Sequence, residues 1–129
     1  MRLPRVIPRS FFDKAVRTAA ILFLPAFAGV LGGELGPSGG APHFWDKAVH
    51  FTAYLILSAL AVAALRARKN ALWAMLALIV MGAVLEVVQG MIGRDMSARD
   101  ELANSLGVVA GAIVVWAIRA VLVRLRPAD

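Results

Sequence analysis

The sequence predicts an all-α membrane protein that folds as a bundle of four transmembrane helices. Of its 129 residues, 60% are hydrophobic, and the mean hydropathy is +0.77, whereas a soluble domain is nearer half apolar. A helix needs about 20 mostly apolar residues to cross the bilayer core, because it rises about 1.5 Å per residue. Four apolar runs of this length account for nearly the whole chain. One transmembrane domain, residues 1–129, is therefore expected, with no separate soluble domain.

The N-terminal part is predicted to be a basic arm over residues 1–14, followed by a first span over about 15–33. Pro25 lies inside this span, where membrane helices tolerate proline, often as a kink. The basic arm, the apolar run and the Ala-Phe-Ala at 26–28 together resemble a secretory signal with its cleavage site. Because the basic region is long for a signal, we expect this helix to be retained. Gly and Pro then indicate a loop over 32–42.

The other three spans are predicted over about 45–65, 71–92 and 100–123. A short basic turn at 66–70 separates the second span from the third, so these two should form an antiparallel hairpin. A polar turn at 93–99 precedes the fourth span. The first span is expected to be a supporting helix. Two pairs of glycines spaced four apart are expected to be helix-packing surfaces, and two aromatic residues an interfacial belt: Gly29 with Gly33, Gly107 with Gly111, and Phe44 with Trp45.

The charged residues predict how the bundle is oriented. Eleven of the 14 Lys and Arg residues fall in the N-terminal arm, at the start of span one, in the turn at 66–70 or at the C-terminal end. Six of the eight acidic residues fall on or near the opposite side. Because Lys and Arg collect on the cytoplasmic side of membrane proteins, both termini are predicted to be cytoplasmic. The net charge of +6 is thus explained by residues that flank apolar runs, and no nucleic-acid partner is expected.

Three segments on the predicted outer side carry the polar residues that stand out. In the segment that opens span two, Asp46, His50 and Tyr54 are four residues apart and therefore share one helix face. Asp46 has a structural alternative as the N-cap of span two. Lys47 could equally extend its ammonium to the lipid head groups without forming part of a site.

The other two segments lie near the outer ends of spans three and four. Glu86 and Gln89 lie close to the end of span three. In the turn before span four and in its first turns, four residues fall at i, i+3, i+7 and i+10 on one helix face, namely Ser97, Asp100, Asn104 and Gly107. Ser97 and Asp100 also fit a Ser-x-x-Asp capping box, which is the structural alternative for these two.

Glu86 is the residue that a structural explanation fits least well. It lies about two turns inside span three, where an unpaired carboxylate costs on the order of 3 kcal/mol or more. Its expected partners are His50, Lys47 and Arg94. Buried ionisable groups in membrane spans mark functional sites by default, so the sequence predicts a site shared by spans two, three and four. The alternative is a purely structural polar network.

The three segments resemble the VanZ-like family, whose motifs run D-K-x-x-H-F-x-x-Y, then E-x-x-Q, then R-x-x-S-x-x-D-x-x-A-N-x-x-G. The resemblance covers about residues 45–111, and the one departure is Gly93, where the family often has a proline before the arginine. It implies a small multi-pass protein of the bacterial cytoplasmic membrane, associated with the cell envelope and with resistance to the glycopeptide teicoplanin. It implies no mechanism. The matching residues here are Asp46, Lys47, His50, Phe51, Tyr54, Glu86, Gln89, Arg94, Ser97, Asp100, Ala103, Asn104 and Gly107.

The first function that these residues allow is an intramembrane hydrolase or transferase acting on an envelope lipid or a lipid-linked glycan. His50 would be the general base or nucleophile, oriented by Asp46 or Asp100, and Glu86 would be the acid. Arg94 and Lys47 would hold an anionic head group, the guanidinium being better suited to a bidentate grip. The predicted substrate-binding set is completed by Tyr54, Gln89, Ser97 and Asn104.

Two other functions remain open. The same residues could form a non-catalytic binding module for a lipid head group or a lipoglycopeptide, or a small transporter or lipid scramblase that works as a homo-oligomer. With no cysteine in the chain, thiolate nucleophiles and thiolate metal sites are excluded. A divalent metal held by Asp46, His50, Glu86 and Asp100 would lack a compact ligand motif. No metal site is therefore assigned, and the sequence identifies no cofactor.

Overall fold

The computed structural model of the chain describes residues 8–37 and 43–125, with the side chains of residues 43–45 left out. It consists of four helices, α1 (Arg9–Leu35), α2 (His43–Ala64), α3 (Arg68–Met91) and α4 (Ala98–Arg124), and the described residues include no strand. Each helix is long and apolar enough to cross a membrane. The predicted all-α class with four spanning helices is confirmed, and these helices indicate a multi-pass membrane protein.

The helices differ from the predicted spans mainly at both ends of α1. It begins at Arg9, so the second half of the predicted basic arm is helical, while residues 1–7 lie outside the described part. It runs without interruption through Pro25 and the signal-like stretch at 26–28. It ends at Leu35, three residues beyond the start of the predicted loop, and residues 38–42 of that loop also lie outside the described part. The same is true of the predicted aromatic side chains Phe44 and Trp45.

Contacts at one end of the bundle show that successive helices run in opposite directions. Asp13 near the start of α1 forms an ion pair with Arg66, directly after α2. Arg68 at the start of α3 stacks over the ring of Trp116 near the end of α4, 5.2 Å from the ring centroid. We call this end, defined by Asp13, Arg66, Arg68 and Arg119, the basic end. The hairpin predicted for the second and third spans is confirmed by the three-residue connection between them.

Arg119 closes the basic end by capping α2. Its Nη2 donates to carbonyl oxygens at the end of that helix, those of Val62 and Ala63 at 2.9 and 3.1 Å, and to that of Leu65 just after it at 3.0 Å. The last four carbonyls of a helix have no partner within it, and an unpaired carbonyl is costly in an apolar surrounding. Arg119 therefore ties α4 to α2 while it satisfies α2's C-terminus.

The closest helix pair is α2 with α4, which cross at two glycines. A Cβ added to Gly107 or Gly111 would fall against the α2 backbone over residues 51–59, so only glycine allows this approach. Between the two glycines, Ser58 Oγ donates to Val108 O at 2.6 Å. The prediction that Gly107 and Gly111 form a packing surface is confirmed.

The corresponding prediction for Gly29 and Gly33 on α1 is wrong. Among the described residues, a Cβ added at either position would have no neighbour within 4 Å. α1 packs on the core through the partly buried Phe23, Ala26, Phe27 and Val30, and this leaves the glycines beside open space.

Candidate functional site

The end of the bundle opposite the basic end, which we call the polar end, gathers buried polar side chains from all four helices. Six of them form what we call the polar cluster, and each has less than 9% of its surface exposed: Glu34, His50, Glu86, Gln89, Asp100 and Asn104. Five of these six are predicted site residues. The facing sides of α2, α3 and α4 therefore converge as the helical spacing predicts.

The imidazole of His50 lies at the centre of the polar cluster. Its Nδ1 is 3.1 Å from Asn104 Oδ1 and 3.2 Å from Glu34 Oε1, whereas its Nε2 is 3.8 Å from Asp46 Oδ1. Since Nδ1 faces two acceptor oxygens at hydrogen-bonding distance, we assign the ring proton of the neutral form to Nδ1. Nε2 is then the nitrogen that can accept a proton. Glu34 and Asn104 thus hold Nδ1, and Asp46, predicted as one of two residues that orient the ring, lies on the side of Nε2.

Glu34 is the site residue that sequence reasoning missed. It was expected in a loop after a purely supporting first span, but α1 continues to Leu35 and turns this carboxylate inwards. Besides meeting His50, it accepts from Gln89 Nε2, which lies 2.5 Å from Glu34 Oε2 and 2.8 Å from Glu34 O. The sequence signal that could have identified Glu34 is an acidic residue placed directly after an apolar run. Gln89, predicted to bind substrate, instead holds Glu34.

Arg94 explains why α1 reaches Glu34. Its Nη1 donates to Glu34 O at 2.7 Å and Gly36 O at 2.9 Å, with Gly33 O at 3.5 Å, and so satisfies carbonyls at the C-terminus of α1. The preceding Gly93 has φ of 86°, a left-handed conformation that proline, fixed near −65°, cannot adopt. The departure from the family pattern at Gly93 is therefore matched by the shape of this turn.

Lys47 is part of an ion pair and does not simply extend to the membrane surface. Its Nζ lies 2.6 Å from Asp100 Oδ1, and the two side chains are 32% and 8% exposed. The buried carboxylate thus has a partner on the neighbouring helix. The pair joins the start of α2 to the start of α4.

We expect Lys47→Met to lower the free energy of unfolding by about 3 kcal/mol, because it leaves the buried carboxylate of Asp100 without a partner. The double variant Lys47→Met/Asp100→Asn should recover most of that loss, since it removes the charge as well. Chemical unfolding of purified protein in detergent micelles measures this, with the exposed Lys69→Met as the matched control. If Lys47 served ligand binding alone, the single variant would be as stable as that control.

The two predicted helix caps have different outcomes. Ser97 is the N-cap of α4, and its Oγ accepts from Asp100 N at 3.3 Å, as the capping-box alternative predicts. The side chain of Asp100 turns to Lys47 instead of completing the box. Asp46 is not an N-cap, because α2 begins at His43 and Asp46 lies in its first turn. Its carboxylate remains available at the surface of the site, 41% exposed.

Glu86 has a different partner from those predicted. Its Oε2 accepts from the backbone N–H of Ser97 at 2.9 Å, and the ion pairs found among residues 8–37 and 43–125 do not include it. The other oxygen, Oε1, is buried without a hydrogen-bond partner in that part of the chain, and so is the hydroxyl of Tyr54. Leaving buried polar atoms unpaired costs about 1–3 kcal/mol each. Glu86 therefore fixes the start of α4 through its Oε2, while its unpaired Oε1 lowers the stability of the folded chain.

Three of the four residues considered for a metal lie close together. Ligand atoms of Asp46, His50 and Asp100 are all within 4.8 Å of one another, and within the described residues Glu86 does not join them. The ammonium of Lys47 already neutralises Asp100, so a cation would have to displace it.

A groove of about 320 Å³ opens between α1 and α2 beside His50. Toward the middle of the bundle its wall is apolar, lined by Ala26, Gly29, Val30, Gly33, Val49, Ala53 and Ile56. At the polar end it is lined by Glu34, Asp46, His50 and Arg94. Of the predicted site residues, Asp46, His50 and Arg94 thus border the groove, and the buried members on α3 and α4 lie behind them.

Comparisons with models of protein families, with curated proteins and with solved structures find no match. What the site can do must therefore follow from its geometry. His50 combines an anchored Nδ1 with an Nε2 on the side of Asp46, and both residues border the groove. A molecule in the groove would meet an apolar wall, a nitrogen that can take a proton and charged groups of both signs.

Proposed function

We propose that this chain is an enzyme of the bacterial cytoplasmic membrane that acts on the head group of an envelope lipid, by hydrolysis or group transfer. The observation that most supports this is the groove, whose wall changes from apolar in the middle of the bundle to ionisable beside His50. A lipid has the same division between acyl chain and head group. Small-molecule sites are likewise mostly apolar with a few convergent polar groups.

The groove lies between two spanning helices, so a lipid would reach it sideways from the bilayer. The acyl chain would pack along Ala26, Val30 and Ile56, and the head group would reach Asp46 and His50. Gly29 and Gly33 keep this path open, since neither carries a side chain to fill it. This supports a membrane lipid over a water-soluble substrate.

The chemistry we propose begins at His50 Nε2. Nε2 would accept the proton of a water or alcohol while the oxygen of that molecule attacks the electrophilic atom of the head-group bond. It would then give the proton to the oxygen that leaves as this bond breaks. Glu34 and Asn104 would keep Nδ1–H in place, and the Glu34 carboxylate would stabilise the imidazolium that forms. Glu86, predicted to be the acid, is better assigned to positioning because its Oε2 binds the N-cap residue of α4.

We also propose an orientation of the bundle in the membrane and membership of the VanZ-like family. The basic end would face the cytoplasm, since Lys and Arg collect there, and the polar end would face outwards with both termini inside. Membership of the VanZ-like family, with its link to teicoplanin resistance, rests on the three motifs over residues 45–111.

A lipid- or lipoglycopeptide-binding module without turnover remains the alternative, because it would use the same groove.

Filling the groove tests the proposal. Gly29→Leu should lower lipid turnover at least tenfold, because the new side chain occupies the groove and has no neighbour to displace. Gly29→Ala, which adds one methyl group at the same place, should stay within about fourfold of the wild type, since a single buried methylene changes binding by ~0.8 kcal/mol or less. The measurement is mass spectrometry of vesicles of bacterial polar lipids, before and after incubation with the purified, reconstituted protein.

Unchanged turnover in Gly29→Leu would show that substrate takes another route. If the wild type converts no lipid but retains lipid that Gly29→Leu does not, the protein is a binding module and the catalytic proposal is wrong.

A further inference from the structure

We infer that the lipid head group held at the polar end of the groove carries an amine, with its ammonium on the carboxylate of Asp46. This inference rests on the proposed function, since it takes the groove to be a lipid site. It adds a carboxylate contact to the sequence-based expectation that Lys47 and Arg94 grip an anionic head group, and of those two cations it keeps Arg94.

The cations at the polar end are already engaged. Lys47 Nζ lies 2.6 Å from Asp100 Oδ1, and Arg94 Nη1 donates to Glu34 O and Gly36 O at 2.7 and 2.9 Å. The groove lining includes Arg94 and not Lys47, and a phosphate would have to share the Lys47 ammonium with the buried carboxylate of Asp100. Arg94 is thus the cation that borders the groove, and part of its guanidinium is committed to α1.

In contrast to the cations, one of the carboxylates that border the groove, that of Asp46, is available to a ligand. Glu34 is occupied by His50 and Gln89. Asp46 is 41% exposed, and His50 Nε2, its ion-pair partner in the described part of the chain, is 3.8 Å away. That separation is too long for a hydrogen bond. Asp46 therefore offers an acceptor beside the nitrogen to which we assign the chemistry.

The carboxylates along the groove also favour an amine. Two of them, Glu34 and Asp46, border it together with the guanidinium of Arg94 and the imidazole of His50. A head group joined through a diphosphate would bring two negative charges to this wall, and like charges in contact are unfavourable. A zwitterionic head group fits better, because its ammonium would meet Asp46 while its one phosphate has Arg94 on the same wall. Among membrane lipids this describes phosphatidylethanolamine and other amine-bearing phospholipids.

Native mass spectrometry of the purified full-length chain tests the inference. The protein is released from micelles that contain equal amounts of dioleoyl phosphatidylethanolamine and dioleoyl phosphatidylglycerol, which share their acyl chains and differ in the amine. We expect the wild type to retain the ethanolamine lipid about fivefold more than the glycerol lipid, a preference of ~1 kcal/mol. Asp46→Asn keeps the size of the side chain and should bring that ratio to about one. Gly29→Leu, which fills the groove, should retain less of both lipids.

The outcomes separate this inference from the proposed function. Equal retention of both lipids by the wild type, or preference for the glycerol lipid, overturns the amine and leaves the groove as a lipid site. A preference that survives in Asp46→Asn overturns the role of that carboxylate. If Gly29→Leu retains both lipids as well as the wild type does, the groove is not a lipid site, and the proposed function fails with the inference.

Discussion

Replacing His50 by Ala is expected to lower lipid turnover about 10³-fold, since a positioned general base contributes about 10²–10⁴-fold. His50→Asn should be as inactive, although its amide nitrogen can still donate to Glu34 Oε1 or Asn104 Oδ1 in place of Nδ1. It lacks any counterpart of Nε2 as a proton acceptor. The two variants together separate loss of the reactive nitrogen from loss of the hydrogen bonds behind it. Turnover is measured by mass spectrometry of lipids in reconstituted vesicles.

Both variants should still retain lipid in the groove, because its apolar wall is unchanged. Lipid retention by native mass spectrometry therefore serves as the internal control for folding. Full turnover in either variant would mean that His50 is not the base. If instead His50→Ala loses lipid retention and His50→Asn keeps both retention and turnover, the imidazole is a structural donor only.

Gly107→Ala is expected to have the largest effect on stability, because its new Cβ would press on the backbone of α2. That atom would collide with Phe51 O and lie 3.0 Å from Leu55 N, and neither backbone atom can turn aside as a side chain would. Overpacking of this kind costs about 1–3 kcal/mol or more. We expect a loss of about 3 kcal/mol in the free energy of unfolding, together with reduced turnover, because the separation of α2 and α4 sets the distance between His50 and Asn104. Chemical unfolding in detergent micelles measures the stability.

Gly29→Ala is the matched control, since it is the same substitution in another helix and its Cβ meets nothing within 4 Å. It should be at least as stable as the wild type, because Ala favours the helix over Gly by about 1 kcal/mol. Equal stability of Gly107→Ala and Gly29→Ala would contradict the close crossing of α2 and α4.

The sequence predicts the helices well because apolar run length is a local property. The position of Asp46, His50 and Tyr54 on one face also follows from local spacing, and so does the cap at Ser97. The end of α1 is different, since it depends on hydrogen bonds from Arg94 to the carbonyls of Glu34 and Gly36, nearly sixty residues away in the chain. No local pattern at residue 34 carries that information. The missed role of Glu34 follows from this one contact.

The sequence predicts that the polar groups converge, but it does not predict which of them pair. Helical spacing indicates that His50, Glu86 and Asn104 face a common interior, but it leaves the rotation and tilt of each helix open. A small rotation decides whether Lys47 meets Glu86 or, as observed, Asp100. The same freedom explains why Gly29 and Gly33, which have the spacing of a packing surface, border a groove.

The two walls of the groove differ in how tightly they are packed, and this has a consequence for how such proteins diverge. The proton-accepting residue lies on α2, which the seam at Gly107 and Gly111 locks to α4. The facing wall belongs to α1, where Gly29 and Gly33 have free space around them. Substitutions at these two positions can reshape the groove without disturbing the fold or His50. Related chains could thus evolve preferences for acyl chains of different length or branching through positions 29 and 33 of α1, while His50 and its partners Glu34 and Asn104 are inherited unchanged.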